Sequence, residues 1–337
     1  MKAQLPPTNL SYLQESAETT AGKRPPRSMP LIKVPGLLWA LIILIAFASI
    51  LSPYFLQRPN LINVLRQVAL SGVVSVGMTF VILIAGIDLS VGSIMAIVTV
   101  ACALFLNSGI PFIYVVIAGP VLGALMGLLN GAGVVFGRVP AFIMTLGTMV
   151  MGRGIAMMLS NGQPVNLDST DGPFAEIGNG FFLAIPVPVW IFAVAAGLGA
   201  LALRFLPLGR NLYAVGSNTE AARLAGVNVG ATQLFAYIIS GVLAGVTALI
   251  FLSRLTVAEP TAGTGIELEA IAVAVIGGTS LFGGEGGIGG TILGAMILAI
   301  LANMLNLLGV GPFAQQVIKG AIIIAAVLFE IQRSRKR

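Results

Sequence analysis

Ten apolar stretches, separated by short polar segments, run along the chain. Most are close to the roughly 20 residues that a helix needs to cross the hydrocarbon core of a bilayer. We therefore predict an all-α integral membrane protein with about ten transmembrane helices, which form one transmembrane domain over residues 35–332. The predicted spans cover residues 35–56, 64–86, 90–107, 111–136, 140–160, 186–206, 231–253, 268–283, 288–308 and 314–332.

The two ends of the chain are polar and basic. Residues 1–34 are rich in proline and lack the compact apolar core of a secretory signal, so we predict a flexible cytoplasmic tail followed by an uncleaved first span. Residues 333–337 form a basic cytoplasmic tail. With both termini inside, 13 of the 18 lysines and arginines obey the positive-inside rule. The other five are Arg58, Arg66, Arg153, Arg254 and Lys319.

Composition supports the membrane assignment and narrows the chemistry. Hydrophobic residues make up 57% of the chain and charged residues 9%, whereas soluble domains carry about 25% charged residues. The absence of histidine excludes a Ser-His-Asp triad and the usual histidine metal ligands. A phosphate-binding GxxxxGK[ST] loop is also absent. We expect no enzyme activity, no cofactor, no metal and no nucleic-acid partner, and the lone Cys102 leaves the redox compartment open.

The only long cytoplasmic loop, residues 207–230, contains a helix signal. The spacing of Ser217 and Glu220 predicts a capping box, and Gly226 can end the helix about two turns later. So short a helix is unstable alone in water. It is held either by a partner protein or by packing on its own chain. The candidate coupling residues are Ser217, Asn218, Glu220, Ala221, Ala222 and Gly226.

Asp88 lies between two apolar runs, where a charge at bilayer depth costs about 2.5–3.5 kcal/mol. The neighbouring Gly86, Gly92 and Ser93 indicate a helix break whose polar backbone faces a cavity or the cytoplasmic edge. Three roles stay open for Asp88. It caps the third span through amides near Ser90, it forms part of a gate or substrate path, or it couples transport to protons.

A second glycine-rich break covers residues 277–290 and contains a GxGxxG pattern from Gly284 to Gly289. Because predicted transmembrane spans flank it, we expect a tight cytoplasmic turn with positive φ angles, not a nucleotide site. The two breaks occupy comparable places in the two halves, which indicates an internal repeat. The candidate pathway or gate residues are Asp88, Ser90, Gly92, Ser93, Gly277, Gly278, Thr279 and Ser280.

Several short stretches resemble the permease subunits of ATP-binding-cassette (ABC) importers for pentoses and hexoses, and most closely those of the ribose type. They are GIDLSVGS at 86–93, NGQPVN at 161–166, PTAGTG at 260–265, GGTSL at 277–281 and NLLGV at 306–310. Glu220, Ala221, Ala222 and Gly226 are similar to the EAA loop through which such permeases dock on their ATPase, although its downstream Ile and Leu-Pro are missing. The resemblance covers residues 50–330.

This resemblance implies a multi-pass protein of the bacterial inner (plasma) membrane that carries a monosaccharide, ribose or a related sugar. It implies a cytoplasmic ATPase that binds ATP and Mg²⁺, a periplasmic or extracellular sugar-binding protein, and a second permease copy, as a homodimer or a paired half-transporter. The alternative function is a secondary transporter coupled to a proton or ion gradient through Asp88.

Residues 254–267 form a predicted outer loop with two interpretations. The spacing of Thr264 and Glu267 fits a capping box for the eighth span. The same surface is a candidate docking site for the binding protein. The candidate docking residues are Arg58, Arg254, Glu259 and Glu267. For Arg153, within the fifth span, snorkelling to the interface, an ion pair and a sugar contact all stay open.

Overall fold

The computed structural model describes residues 34–169 and 172–334, which fold mostly into helices. Most of the predicted tail over 1–34 and of the basic tail over 333–337 lies outside these residues. The helices α1 to α13 cover Val34–Leu51, Arg58–Leu83, Val91–Asn107, Phe112–Val135, Ala141–Leu159, Ala175–Asn179, Val187–Phe205, Pro207–Ser217, Thr219–Leu224, Val229–Leu255, Ile266–Ile276, Ile288–Leu307 and Pro312–Ser334.

Four two-residue strands lie in the long loops of the described part of the chain. They are β1 at Val165–Asn166, β2 at Phe181–Phe182, β3 at Ile185–Pro186 and β4 at Val257–Ala258. β1 pairs antiparallel with β4, and β2 pairs antiparallel with β3. The first pairing ties the loop after α5 to the loop after α10, so the two predicted outer loops are joined.

Each of the ten predicted spans overlaps a helix, which confirms the helical membrane architecture. In the described part of the chain, six helices are long and apolar enough to cross a bilayer, namely α2, α4, α5, α7, α10 and α12. Shorter apolar helices cover Gly36–Leu51, Val91–Asn107 and Pro312–Ala325. The count of about ten spans and the cytoplasmic position of both ends stay predictions.

The eighth predicted span, 268–283, is wrong as a continuous helix. α11 ends at Ile276, because Gly277 and Gly278 follow and Gly278 adopts φ +87°. Its 11 residues extend about 16 Å, roughly half the thickness of a hydrocarbon core. α11 is therefore a half-length helix between two irregular segments.

α2 runs through the centre of the bundle. From Val68 onward almost every side chain of this helix is buried, including those of Phe80, Ile82 and Leu83. α2 packs against α7, α10, α11 and α12. α2 is therefore the central helix around which these four helices are arranged.

Glycines bring α4 and α10 into backbone contact. In α4, Gly119, Gly123 and Gly127 recur at every fourth position and face Gly241 and Gly245 of α10. A methyl group at Gly123 would overlap the carbonyl oxygen of Gly241, and one at Gly241 would overlap that of Gly123. Small residues at this spacing let helices associate closely in lipid, and here they fix the distance between α4 and α10.

We expect Gly123→Leu to destabilise the folded protein by at least about 3 kcal/mol, because overpacking typically costs about 1–3 kcal/mol and here two backbones must separate. Thermal unfolding of the purified protein in detergent measures this loss. Gly197→Leu in α7 is the matched control, since an added side chain there meets no atom within 4 Å. Equal melting temperatures for the two variants would contradict the packing role.

Candidate translocation site

Asp88 is fully buried in the irregular segment between α2 and α3. Its Oδ1 accepts hydrogen bonds from the Ser90 amide at 3.0 Å and the Ser90 hydroxyl at 2.6 Å. Its Oδ2 accepts a hydrogen bond of 2.8 Å from Ser240 in α10. Ser90 is one of the residues whose amides were predicted to bond to Asp88, but it precedes α3, and the helix has no side-chain cap. The contact with Ser240 shows that the carboxylate also joins α3 to a distant helix.

A chain of polar side chains continues from this carboxylate. The Asn130 amide of α4 donates to Ser90 Oγ at 2.7 Å, and Thr148 of α5 donates to Asn130 Oδ1 at 2.7 Å. Thr145 donates to the carbonyl oxygen of Ile87 at 3.0 Å. The segment around Asp88 is therefore held by α4, α5 and α10 together. We refer to Asp88, Ser90, Asn130, Thr148 and Ser240 as the Asp88 network.

The sequence prediction missed three members of the Asp88 network. Asn130 gave a usable signal, because it is an amide within an apolar glycine-rich span, where polar side chains are expensive. Ser240 and Thr148 gave none, because serine and threonine in apolar helices commonly bond to their own backbone. Ser240 lies 152 residues from Asp88, so local spacing does not link them.

Hydrogen bonds, not an ion pair, stabilise Asp88. Glu220–Arg223 and Glu269–Lys319 form ion pairs among the described residues, and neither pair involves this carboxylate. Tyr237, one turn before Ser240, is fully buried, and its hydroxyl has no hydrogen-bond partner among the described residues. The neighbourhood of Asp88 is therefore polar and buried.

The second break forms the tight turn that its glycines predict. Gly278, Gly283 and Gly284 adopt φ values of +87°, +82° and +72°. The Ser280 amide donates to the Glu285 carbonyl oxygen at 2.9 Å, which closes the turn. The predicted pathway residue Thr279 is fully buried, and its hydroxyl has no partner in the described part of the chain. Strong backbone curvature and burial thus coincide here.

The two breaks touch each other at the end of α2. The amide of Gly284 donates to the carbonyl oxygen of Leu83 at 2.9 Å. A methyl group at Gly283 would lie 3.0 Å from Ala85 Cβ. Ala85 itself adopts φ +58°, an uncommon value for a residue with a side chain. Segments that lie almost 200 residues apart therefore form one structural unit.

Gly92, near the start of α3, lies against the turn before α11. A methyl group at Gly92 would overlap the carbonyl oxygen of Gly263 and the Oε2 atom of Glu267. Glu267 Oε2 is buried and has no hydrogen-bond partner among the described residues. We call this contact of Gly92, Gly263 and Glu267 the seam.

Of the predicted docking residues, Glu267 thus lies partly buried at the seam, whereas Arg58 and Glu259 are exposed and Arg254 is partly buried.

The predicted capping box at Thr264 is wrong. The residue that precedes α11 is Gly265, with φ +86°, and its own amide donates to Glu267 Oε1 at 3.1 Å. The Thr264 hydroxyl turns the other way and donates to the carbonyl oxygen of Thr261. A left-handed residue at the helix start leaves no geometry for a side-chain cap from Thr264.

Arg153 clamps the same outer turn. Its Nη1 atom donates to the carbonyl oxygens of Pro260 at 3.1 Å and Ala262 at 2.8 Å. Both of these partners are backbone oxygens, and the ion pairs Glu220–Arg223 and Glu269–Lys319 do not include Arg153. Together with the β1–β4 pairing, this clamp fixes the outer loop over the seam.

Arg66 in α2 is a residue to which the sequence prediction gave no role. Its Nη2 atom donates to the Asn179 carbonyl oxygen at 2.7 Å, and its guanidinium lies 5.1 Å from the centre of the Phe181 ring. It therefore holds the β2–β3 hairpin against α2. No motif marks this contact in the sequence.

On the predicted cytoplasmic side, the predicted capping box at Ser217 is wrong, because Glu220 pairs with Arg223 and a single asparagine cap lies one residue later. The cap of α9 is Asn218, whose Oδ1 accepts from the Ala221 amide at 2.9 Å. Ser217 is instead the last residue of α8, an 11-residue helix that the sequence prediction missed, and its hydroxyl donates to the Tyr213 carbonyl oxygen. Proline at the first position of α8 was the available signal for its start.

α9 ends as Gly226 predicts, and it presents two different faces. Gly226 has φ +84°, and its amide and that of Val227 bond back to α9 as in a Schellman motif. Ala222 is buried against the protein, whereas Leu224 is 89% exposed. One face of this short helix is thus held by its own chain and the other is unpartnered in the structure.

The comparisons with known proteins agree on one class. The family described as branched-chain amino acid transport system, permease component, matches residues 60–327. The ribose import permease protein of Haemophilus influenzae is 44% identical over 86% of this chain and 90% of that protein. The one of Escherichia coli K12 is 43% identical over 94% and 98%. The D-allose transport system permease protein of Escherichia coli K12 is 40% identical over 88% and 90%. No solved structure matches the chain.

We expect Asp88→Ala to destabilise the protein by about 3 kcal/mol or more, because hydrogen bonds to charged groups contribute about 1.5–3 kcal/mol each and three would be lost. Asp88→Asn keeps one acceptor oxygen and should fall between that variant and the wild type. Denaturant unfolding in detergent gives the values. The exposed Asp168 supplies the control Asp168→Ala, and an equal loss for both alanine variants would disprove the structural role of Asp88.

Proposed function

Because this chain belongs to the family of permease components of the branched-chain amino acid transport system, and because ribose import permeases match it over nearly their whole length, we propose that it is the transmembrane subunit of an ABC importer of ribose or a closely related monosaccharide. The near-complete coverage at 43–44% identity carries this proposal. Ribose is favoured over allose because the allose relative is more distant.

The chain is a transporter component and not an enzyme. We propose that a separate cytoplasmic ATPase binds ATP and Mg²⁺ and supplies the energy. Among the described residues, His, Cys, Asp and Glu form no group that would hold a metal ion. A sugar-binding protein on the outer side delivers the substrate, and a second permease copy completes the pathway. Arg58, Arg254 and Glu259 are the proposed docking residues for that protein.

The chain is a multi-pass protein of the bacterial inner membrane. We propose both termini on the cytoplasmic side, so that the loop with α8 and α9 faces the ATPase. Helix α3 then begins, and helix α11 ends, at a break within the bundle and not at the membrane surface. This arrangement is typical of transport proteins, in which irregular backbone at membrane depth lines a cavity or is buried in protein.

We propose that sugar passes between the two breaks when the seam opens. The candidate residues Gly92, Ser93, Gly277 and Gly278 offer backbone groups and little side-chain bulk. A sugar hydroxyl can bond to backbone carbonyl and amide groups as well as to side chains. Membrane-embedded polar side chains are scarce in this sequence, so the sugar-binding protein sets most of the selectivity.

Proton coupling through Asp88 is the less favoured function. Both carboxylate oxygens already accept hydrogen bonds from Ser90 and Ser240. A proton carrier needs at least one oxygen that is free to exchange with water, and Asp88 is fully buried. Its contacts favour a structural role for the carboxylate at the start of α3.

The deciding experiment is uptake of labelled ribose into proteoliposomes that contain this protein, its ATPase and its binding protein. We expect uptake to need internal ATP and to survive a protonophore, because no step uses a proton gradient. Vesicles without the ATPase are the control. Uptake that needs the proton gradient and proceeds without the ATPase would instead establish the secondary transporter.

The exposed face of α9 gives a second prediction. Burying one leucine contributes about 1.5–3 kcal/mol, so Leu224→Asp should weaken association with the ATPase roughly ten- to a hundredfold. Co-purification from membranes over a concentration series measures this. Leu183→Asp is the matched control, because Leu183 is 73% exposed but lies in the β2–β3 hairpin, on the proposed outer side. Unchanged co-purification of Leu224→Asp would exclude α9 as the ATPase contact.

A further inference from the structure

Three backbone segments meet directly before α9. Gly216, in the last turn of α8, lies so close to the end of α2 that a methyl group there would overlap the carbonyl oxygen of Leu83. The same methyl group would lie 2.5 Å from the amide nitrogen of Gly284. Gly284 in turn donates its amide to Leu83. We call the contact of Gly216, Leu83 and Gly284 the junction.

Neighbouring contacts reinforce the junction. A methyl group at Gly283 would lie 2.8 Å from the Ala85 amide nitrogen and 2.9 Å from the Gly216 carbonyl oxygen. The Tyr213 hydroxyl, one turn earlier in α8, donates to the carbonyl oxygen of Gly286 at 2.9 Å. Burial raises the pKa of Tyr213, so its hydroxyl stays protonated and remains a donor at neutral pH. α8 is thus bound to both breaks.

The junction has little mechanical freedom. Backbone groups are in contact without intervening side chains, so no rotamer change can absorb a displacement. α8 and α9 are separated by Asn218 alone, and that residue caps α9. A shift of α9 therefore acts on Leu83 and Gly284 with no flexible linker between them.

The two segments beyond the junction lead to the proposed pathway. Leu83 is followed by the segment that carries Asp88 and reaches the seam at Gly92. Gly284 lies in the loop that follows α11, whose first turn forms the other side of the seam through Glu267. Both sides of the seam are therefore connected to α8 through one small set of contacts.

We infer that the junction is the element that converts movement of α9 into opening of the two breaks, with Gly216, Gly284 and Tyr213 as positioning residues. This inference rests on the proposed function, since it assumes an ATPase that moves α9. Its distinctive consequence is uncoupling. A weakened junction lets the ATPase bind and hydrolyse ATP while less sugar crosses the membrane.

The test uses the complete transporter in proteoliposomes and measures ribose transported per ATP hydrolysed, together with the amount of ATPase bound. Tyr213→Phe removes only the hydrogen bond to Gly286, and Gly216→Ala forces the segments apart. We expect the transport ratio to fall at least threefold for Tyr213→Phe and further for Gly216→Ala, with ATPase binding unchanged. Tyr114→Phe and Gly197→Ala are the controls, because Tyr114 is exposed and an added group at Gly197 meets no atom within 4 Å.

A purely structural junction gives a different result. It would lower the yield of folded complex but leave the ribose-to-ATP ratio of the surviving complex at the wild-type value, and that outcome overturns the inference. Should Gly216→Ala fail to fold, the ratio of Tyr213→Phe decides alone. A wild-type complex without ATP-driven uptake overturns the proposed function itself, which distinguishes the two failures.

Discussion

A helix that stops inside a membrane leaves amide and carbonyl groups without partners, and hydrocarbon supplies none. This constraint governs the centre of the protein. α2 ends at Leu83, and its carbonyl oxygen is satisfied by the Gly284 amide. In the segment that follows, the Ser90 amide donates a hydrogen bond to Asp88, and the Ile87 carbonyl oxygen accepts one from Thr145. Each break is therefore stabilised by groups from other elements.

Close helix packing makes these bonds geometrically feasible. Ser240 directly precedes Gly241, and Asn130 directly precedes Gly131, so the two polar residues lie beside the glycines that bring α4 and α10 together. With larger residues at those glycines, the helices would separate and the short side chains of Ser240 and Asn130 would no longer reach the Asp88 segment. The hydrogen bonds of these buried polar groups therefore depend on the close packing of the two helices. A buried polar network that is only half hydrogen-bonded costs more free energy than an apolar core.

The sequence predicted the features that depend on neighbouring residues. Apolar length located the helices, glycines located both breaks, and Gly226 marked the end of α9, because hydropathy and positive φ are local properties. The cap is Asn218 and not Ser217 because Ser217 is the last residue of α8, and an amphipathic helix such as α8 gives no membrane signal. The pairing of Asp88 with Ser240 and of Leu83 with Gly284 depends on tertiary packing, which local spacing does not encode.

The order of contacts along α2 and α3 links the two sides of the proposed pathway. At Leu83 the chain touches α8 and the glycine-rich loop, at Asp88 it is held by α10, and at Gly92 it closes the seam against the turn before α11. Only eight residues separate Leu83 from Gly92, and the Asp88 network fixes their middle. A displacement at Leu83 is therefore passed to the seam by a short segment with a fixed centre.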